Sequence, residues 1–333
     1  MKEEKKLEDY TPNTENLRGR TIDATKDAYR KVGGFQQSAS NESTQDPIHY
    51  SDWLTLLGFE IEQNALQYIQ QSGVKQVQNE IWLSKIRLAN TYVSKISNRN
   101  EVIPEVKDLE NAFQERITKL KSEPTFIEHT QGMNSVTFAF VELAKIHCFQ
   151  KHLNSEYIKS LLQKVPDSDD VEGTVKFCLP TKDEMQMTEV ITSHNPITNT
   201  LSMVTENLNF RIIGTIGGED AVTKRNFTGF IHGFGLPQIS VVNYNGTFLL
   251  RNGYHRAFAL FKKGHKFLPC ILLSTDSFEL TGAHQPGFFS IDLIRSNKSP
   301  ILSDFDTEAA VLVPRRRHKA MITVHAESQV VPV

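Results

Sequence analysis

Four consecutive residues, Gly253-Tyr254-His255-Arg256, combine the side chains that most directly suggest chemistry in this chain. A glycine lets the backbone turn sharply, and the free N–H groups at the start of a following helix attract an anion. The Arg256 guanidinium suits a phosphate or a carboxylate through two parallel hydrogen bonds, and His255 can donate a hydrogen bond or transfer a proton near neutral pH. The pattern predicts an anion-binding turn, with Arg251 and Asn252 beside it as further ligands or as solvated edge residues.

The residues around this turn predict the elements that must position it. Residues 239–243 are typical of a β-strand, and Asn245-Gly246 is a strong hairpin signal because both positions of a type I′ turn have positive φ. Residues 247–250 then return as the partner strand. Residues 255–263 follow as a helix that ends at Gly264, and residues 267–273 form another strand of the same sheet.

This order and spacing resemble the ParB/sulfiredoxin superfamily firmly over residues 237–273. The match is weak over residues 227–235, which resemble the helix and Gly-Leu turn that precede the first strand of that family. That family shows an I-x-V strand, a hairpin, a G-x-H-R-x-x-A turn and helix, then a glycine and a Pro-containing strand. The matching residues here are Leu236-Pro237-Gln238-Ile239, Gly253-Tyr254-His255-Arg256-Ala257, Gly264 and Leu268-Pro269-Cys270-Ile271. The resemblance implies a small α+β domain with a mixed sheet, in which Asn252 to Arg256 hold ATP or another nucleotide with Mg²⁺.

The branches of the superfamily differ at the turn itself. Sulfiredoxins carry a reactive cysteine where this chain has Tyr254, so the resemblance does not imply sulfinic acid reduction. Partition ParB proteins carry a Gly-Glu-Arg-Arg box and a later helix-turn-helix, whereas the residues after 273 are typical of strands and loops. The free-serine kinases have a Gly-His-His-Arg turn, which is closer to this one. Their catalytic acid lies upstream, which makes Glu219 or Asp220 a candidate base beside His255.

Two functional hypotheses therefore stay open. In the first, the protein is a phosphotransferase or nucleotide hydrolase, and Arg256 offsets the charge that develops on a transferred phosphate. In the second, the same turn is a non-catalytic module that binds a nucleotide, DNA or a protein partner. The bland alternatives are that His255 and Arg256 serve only the fold, and that Glu219 and Asp220 lie in an ordinary loop.

The rest of the chain predicts an α+β protein in three parts. Residues 1–47 are polar and lack periodicity, which favours a disordered tail. Residues 48–170 predict a helical bundle, because two apolar sets recur at spacings of three and four and residues 136–149 are apolar on nearly all sides. Residues 171–333 predict the ParB/sulfiredoxin-like domain, extended by short strands at 174–178, 189–192, 201–205 and 210–213. The apolar sets are Trp82, Ile86, Ala89, Val93 and Ile96, and Val106, Leu109, Phe113, Ile117 and Leu120.

The composition of the chain limits the classes of partner that it is expected to bind. The 333 residues carry a formal net charge of −2, so any contact with nucleic acid needs a local patch, and Arg315-Arg316-Arg317 is the candidate. A turn between two strands explains that basic cluster as well. The absence of a long apolar run and of an apolar leader predicts a cytoplasmic protein without membrane contact. Cys148, Cys178 and Cys270 are widely spaced and flanked by apolar residues, which predicts buried thiols rather than a disulfide framework or a metal site.

Overall fold

A computed structural model describes residues 49–73, 79–99, 102–185, 188–207, 210–219, 223–285 and 287–325, without the side chain of Phe227. The tail predicted over residues 1–47 lies outside the described residues. The described chain divides into two units. The first unit contains Thr188–Gly233 and the segment that starts at His318, and the second contains Pro47–Met187 and Phe234–Arg317.

The elements follow in chain order. The strands are β1 (Tyr50–Thr55), β2 (Val106–Asp108), β3 (Ser135–Glu142), β4 (His152–Asn154), β5 (Ile191–Asn195), β6 (Thr200–Thr205), β7 (Phe210–Glu219), β8 (Asn226–Phe234), β9 (Ser240–Tyr244), β10 (Thr247–Asn252), β11 (Phe267–Thr275), β12 (Val311–Arg316) and β13 (Ala320–His325). The helices are α1 (Glu62–Gln71), α2 (Asn79–Ser94), α3 (Gln114–Lys121), α4 (Pro124–Thr130), α5 (Ser155–Leu162), α6 (Val171–Cys178), α7 (Tyr254–Lys262) and α8 (Ile291–Ile294).

A five-stranded mixed sheet in the order β10-β9-β11-β3-β2 organises the second unit. β9 and β11 are parallel, with Ile271 opposite Ser240, and the other neighbours are antiparallel. A parallel pair needs a crossover, which α7 supplies between β10 and β11. β11 is buried along most of its length because it lies at the centre of the sheet, with a partner on each side. A smaller sheet in the order β12-β1-β4 belongs to the same unit.

The segment around the predicted turn forms the elements that the sequence predicts. β9, the Asn245-Gly246 turn, β10, α7 and β11 follow in that order, and the two turn residues have φ of 50° and 88°. Gly264, with φ of 84°, follows the end of α7. The prediction of an α+β protein is confirmed at this level. The three cysteines are free and buried, in agreement with their apolar flanks.

The prediction of a helical bundle over residues 48–170 is wrong. Strands β1 to β4 lie in that range, and β3 replaces the central helix predicted at 136–149. β3 pairs with β11 along its whole length, so the predicted boundary near residue 170 does not separate two domains. A short apolar run rich in Val and Phe is compatible with a buried helix or a buried strand, and only its pairing partner decides between them.

Three further element predictions need correction. The helix predicted from Val106 to Leu120 is instead β2 followed, after a break, by α3. Residues 174–178, predicted as a strand, lie in α6, which begins where the Asp170 carboxylate accepts a hydrogen bond from the Gly173 N–H. The helix that the family resemblance implies near residues 227–235 is strand β8.

The first unit contains two small sheets. β13, β6 and β5 form an antiparallel sheet in that order, and β7 and β8 form a two-stranded ribbon. The strands predicted at 189–192, 201–205 and 210–213 fall on β5, β6 and β7 with shifted ends. Among the described residues, no helix has the length and apolar character needed to cross a bilayer.

Candidate functional site

The Gly253 turn joins β10 to α7 with a left-handed backbone, φ 92°. A β-carbon at this position would lie 2.6 Å from Cγ1 of Ile239, so glycine is required both for the backbone angle and for the close packing. The first intrahelical bond runs from the Ala257 N–H to the Gly253 carbonyl at 2.9 Å. The N–H groups of residues 254–256 therefore precede the helical ladder, and no described side chain caps them.

Arg256 uses its guanidinium on the main chain. Nη1 donates to the carbonyls of Phe177 (3.0 Å) and Cys178 (3.4 Å), and Nη2 donates to the carbonyl of Pro237. Phe177 and Cys178 end α6, where the helix dipole is negative and suits a cation. Burial lowers the pKa of Arg256. The group predicted to hold phosphate therefore joins the end of α6 to the loop before β9.

The side chains of Asn252 and Tyr254 also form hydrogen bonds within the protein. The Asn252 amide donates to the carbonyls of Leu236 (2.6 Å) and Gln238 (2.8 Å), which fixes the same loop before β9. Tyr254 is buried, and its hydroxyl oxygen accepts hydrogen bonds from the N–H groups of Phe149 (3.0 Å) and Gln150 (3.4 Å). Both side chains hold the turn in place, and the role of these two residues as ligands stays a prediction.

His255 is partly buried and neutral at pH 7. Its Nε2 accepts a hydrogen bond from the Asn154 N–H at 2.9 Å, which leaves the proton of the neutral ring on Nδ1. The rings of Trp53 and Tyr157 contact it edge-on, at centroid distances of 6.5 and 5.2 Å. Burial, followed by the charge of Arg256, lowers the pKa of His255 to about 4. The sequence analysis offered proton transfer near neutral pH as one role for His255, and an imidazole with this pKa does not titrate there. Its Nδ1–H is a hydrogen-bond donor.

Arg251 lies at a β-bulge between Leu250 and Asn252, where the register of β10 on β9 shifts. Its Nη1 donates to the carbonyl of His129 at 3.0 Å and lies 3.4 Å from the His129 Nε2, which is 3.1 Å from the Ser240 hydroxyl. A bulge turns a side chain out of the alternation of its strand. The sequence left Arg251 as a flanking residue because a bulge leaves no mark on the apolar pattern.

Positive charge around Gly253 is not balanced by the acidic side chains that the structure describes in the second unit. Among the described residues, neither Arg251 nor Arg256 forms an ion pair with a carboxylate. Burial lowers the pKa of both, and no carboxylate contributes to either shift. The positive end of the α7 dipole adds to this field. Two partly buried guanidinium groups and a helix N-terminus therefore flank one glycine.

The other two predicted site residues do not belong to the described second unit. Glu219 ends β7 in the first unit, where its exposed carboxylate lies 3.7 Å from Lys224, and Asp220 lies outside the described residues. The pairing of either acid with His255 stays a prediction. No three His, Cys, Asp or Glu side chains of the described ranges come together as metal ligands. The predicted Mg²⁺ stays a prediction.

The basic cluster at residues 315–317 is engaged within the protein. The Arg315 guanidinium lies 5.1 Å from the centroids of both Trp53 and Tyr68, the Arg316 side chain passes over Gly73, and Arg317 pairs with Glu156. Arg315 and Arg316 are the last residues of β12 and pair with β1, so only Arg317 lies in the turn before β13 that the alternative predicted. Nucleic acid binding through these arginines stays a prediction.

Comparison of the chain with protein-family models, with curated proteins and with solved structures gives no match.

Proposed function

We propose that the second unit is a non-catalytic ParB/sulfiredoxin-like module that binds the phosphate groups of a nucleotide at the Gly253 turn. The observation that carries this proposal is geometric: Arg251 and Arg256, on either side of Gly253 in the chain, donate to main-chain carbonyls and pair with no described carboxylate. A buried charge is costly, and hydrogen bonds to neutral groups lower that cost without neutralising the charge. Carbonyl oxygens solvate these two guanidinium groups but leave their net charge in place. An anion at the turn supplies the missing compensation.

The donors suit phosphate oxygens. The N–H groups of residues 254–256 open α7, and the Nδ1–H of His255 has no acceptor among the hydrogen bonds of the described residues. Backbone N–H groups at a helix start bind phosphate without a change of protonation. In this proposal Arg256 fixes the turn and contributes charge, while Arg251 contributes charge and a guanidinium edge.

The geometry favours binding over turnover. A general base near neutral pH is a requirement of the enzyme hypothesis, and His255 is neutral with its Nε2 occupied by the Asn154 N–H. The described turn contains no carboxylate that could take the role instead. We therefore prefer the binding module to a phosphotransferase or nucleotide hydrolase.

The test is a thermal-shift titration of the full chain with ATP, ADP, CTP and GTP, each with and without Mg²⁺, and with inorganic phosphate. A ligand at about 100 times its dissociation constant adds roughly 2.7 kcal/mol, which raises the melting temperature by about 5 °C. We expect such a shift for at least one nucleotide. The Arg251→Met variant keeps the length of the side chain and removes its charge, so it should weaken binding about tenfold.

The control is Arg87→Met, which should leave binding unchanged. It removes an exposed arginine of α2 that pairs with Glu62 of α1. Incubation of each nucleotide with the protein, followed by chromatography, separates binding from hydrolysis. If no nucleotide shifts the melting temperature up to 10 mM, a limit of about 100 times a 0.1 mM dissociation constant, the proposal is wrong. Turnover that Arg251→Met abolishes would restore the enzyme hypothesis.

A further inference from the structure

The β7–β8 ribbon of the first unit exposes a large amount of apolar surface. Ile212, Ile213 and Ile216 of β7 are 40%, 47% and 51% exposed, and Phe230 and Ile231 of β8 are 41% and 45% exposed. Side chains alternate between the two faces of a strand, so Ile212 and Ile216 share one face of β7 and Ile213 lies on the other. The ribbon therefore leaves apolar side chains exposed on both of its faces.

The ribbon also has an open edge. β7 spans ten residues and pairs with β8 alone within the described part of the chain, while β13 approaches it without forming a ladder. An isolated two-stranded ribbon is marginally stable in water, and an unpaired edge presents N–H and carbonyl groups that can pair with another strand. The outer edge of β7 is therefore a template for a further strand.

Two copies of β7 have complementary side chains when they pair antiparallel in one particular register. If Thr215 faces Thr215 of a second copy, Arg211 faces Glu219 of that copy, and Glu219 faces its Arg211. The remaining pairs in this register are Ile212 with Gly218, Ile213 with Gly217, and Gly214 with Ile216. Each isoleucine then covers a glycine across the strands. Opposite charges and a large side chain over a glycine both stabilise cross-strand pairs.

Other symmetric registers lose this complementarity. A two-fold axis perpendicular to the sheet keeps each side chain on its own face, so one residue must face its own copy. With Gly214 at the axis, Ile212 faces Ile216 and Arg211 loses Glu219. With Ile216 at the axis, Glu219 faces Ile213. The charges therefore select Thr215 as the centre.

We infer that β7 pairs antiparallel with β7 of a second copy of this chain, centred on Thr215, and that the two ribbons form a continuous four-stranded sheet. Pairing of two copies gives the N–H and carbonyl groups on the outer edge of β7 hydrogen-bond partners. A four-stranded sheet is also more stable than an isolated two-stranded ribbon. This inference concerns the first unit and does not depend on the proposed phosphate site.

The first test is disulfide cross-linking of the full chain carrying Thr215→Cys. Residues that face each other across antiparallel strands have β-carbons about 4.5–5.5 Å apart, which is near the range that a disulfide bridges. The native cysteines are buried, so the background is low. We expect a covalent dimer under mild oxidation at low micromolar protein, and little dimer from Arg225→Cys, an exposed position just before β8.

The second test reverses the charges. Arg211→Glu and Glu219→Arg each place like charges at two symmetric positions, so each variant should weaken the dimer about tenfold in analytical ultracentrifugation. The double variant should restore the dissociation constant to within about threefold of the original chain. A chain that is monomeric at 100 μM, roughly the upper limit for a weak specific dimer, overturns the inference. Equal cross-linking at residues 215 and 225, or a double variant as weak as the single ones, also overturns it.

Discussion

Replacement of Arg256 by methionine separates a structural role of this residue from a role in ligand binding. The substitution keeps much of the side-chain length and removes three hydrogen bonds to the carbonyls of Phe177, Cys178 and Pro237. A hydrogen bond from a charged group contributes about 1.5–3 kcal/mol, so three contribute at least about 4.5 kcal/mol. Removal of a partly buried cation offsets some of this loss. We therefore expect a decrease of about 3 kcal/mol in the free energy of unfolding.

Urea denaturation followed by tryptophan fluorescence measures this change. The two tryptophans, Trp53 and Trp82, both lie in the second unit, so their emission reports the unit that contains Arg256. The midpoint should fall while the slope stays constant, since a changed slope would mean a change in the surface exposed on unfolding. Arg87→Met is the matched control because the Arg87 ion pair with Glu62 is exposed, and its midpoint should not move.

The opposite result has a clear meaning. If Arg256→Met unfolds at the same urea concentration as the original chain, the carbonyl contacts do not stabilise the fold and the reasoning above is wrong. The guanidinium would then be available to bind phosphate directly. In that case Arg256→Met should abolish the nucleotide-induced thermal shift without a loss of stability.

Two further predictions concern the same turn. Gly253→Ala should cost at least about 2 kcal/mol more than Gly246→Ala, because both have positive φ but only the Gly253 β-carbon meets Ile239 at 2.6 Å; equal melting temperatures would contradict this. His255 has a pKa of about 4 in the folded chain against 6.5 for an unperturbed imidazole, so its contribution to stability is complete above pH 6.5 and declines as pH falls towards 4. His255→Gln should flatten the unfolding free energy across this range, and an unchanged pH profile would refute the assignment.

Local sequence determined the elements next to the candidate site. Asn245-Gly246 specifies a hairpin because few other pairs adopt positive φ at two successive positions, and Gly253 marks a left-handed start of α7 for the same reason. The strands and the helix of this segment are short-range features with strong turn signals at their ends. They could be predicted within two residues.

Long-range pairing decided what local sequence left open. β3 is a strand because β11 and β2 supply hydrogen bonds on its two sides, whereas its apolar residues alone fit a buried helix equally well. The same applies to α6, whose residues carry no pattern strong enough to exclude a strand. The boundary predicted near residue 170 was wrong for this reason. It assumed that helical and mixed segments form separate domains, whereas the central sheet contains strands from both sides of that residue.

The chemistry of the site shows the same division. Residue types at 251–256 identified a positively charged glycine turn, because charge and backbone freedom belong to single residues. The directions of the side chains depend on groups far away in sequence: Arg256 meets the end of α6, Tyr254 meets residues 149 and 150, and His255 meets Asn154. The sequence alone predicted an anion-binding turn at these residues. Only the tertiary structure decided which of these hydrogen-bond donors already bond to groups within the protein, because packing sets the partners that are distant in the chain.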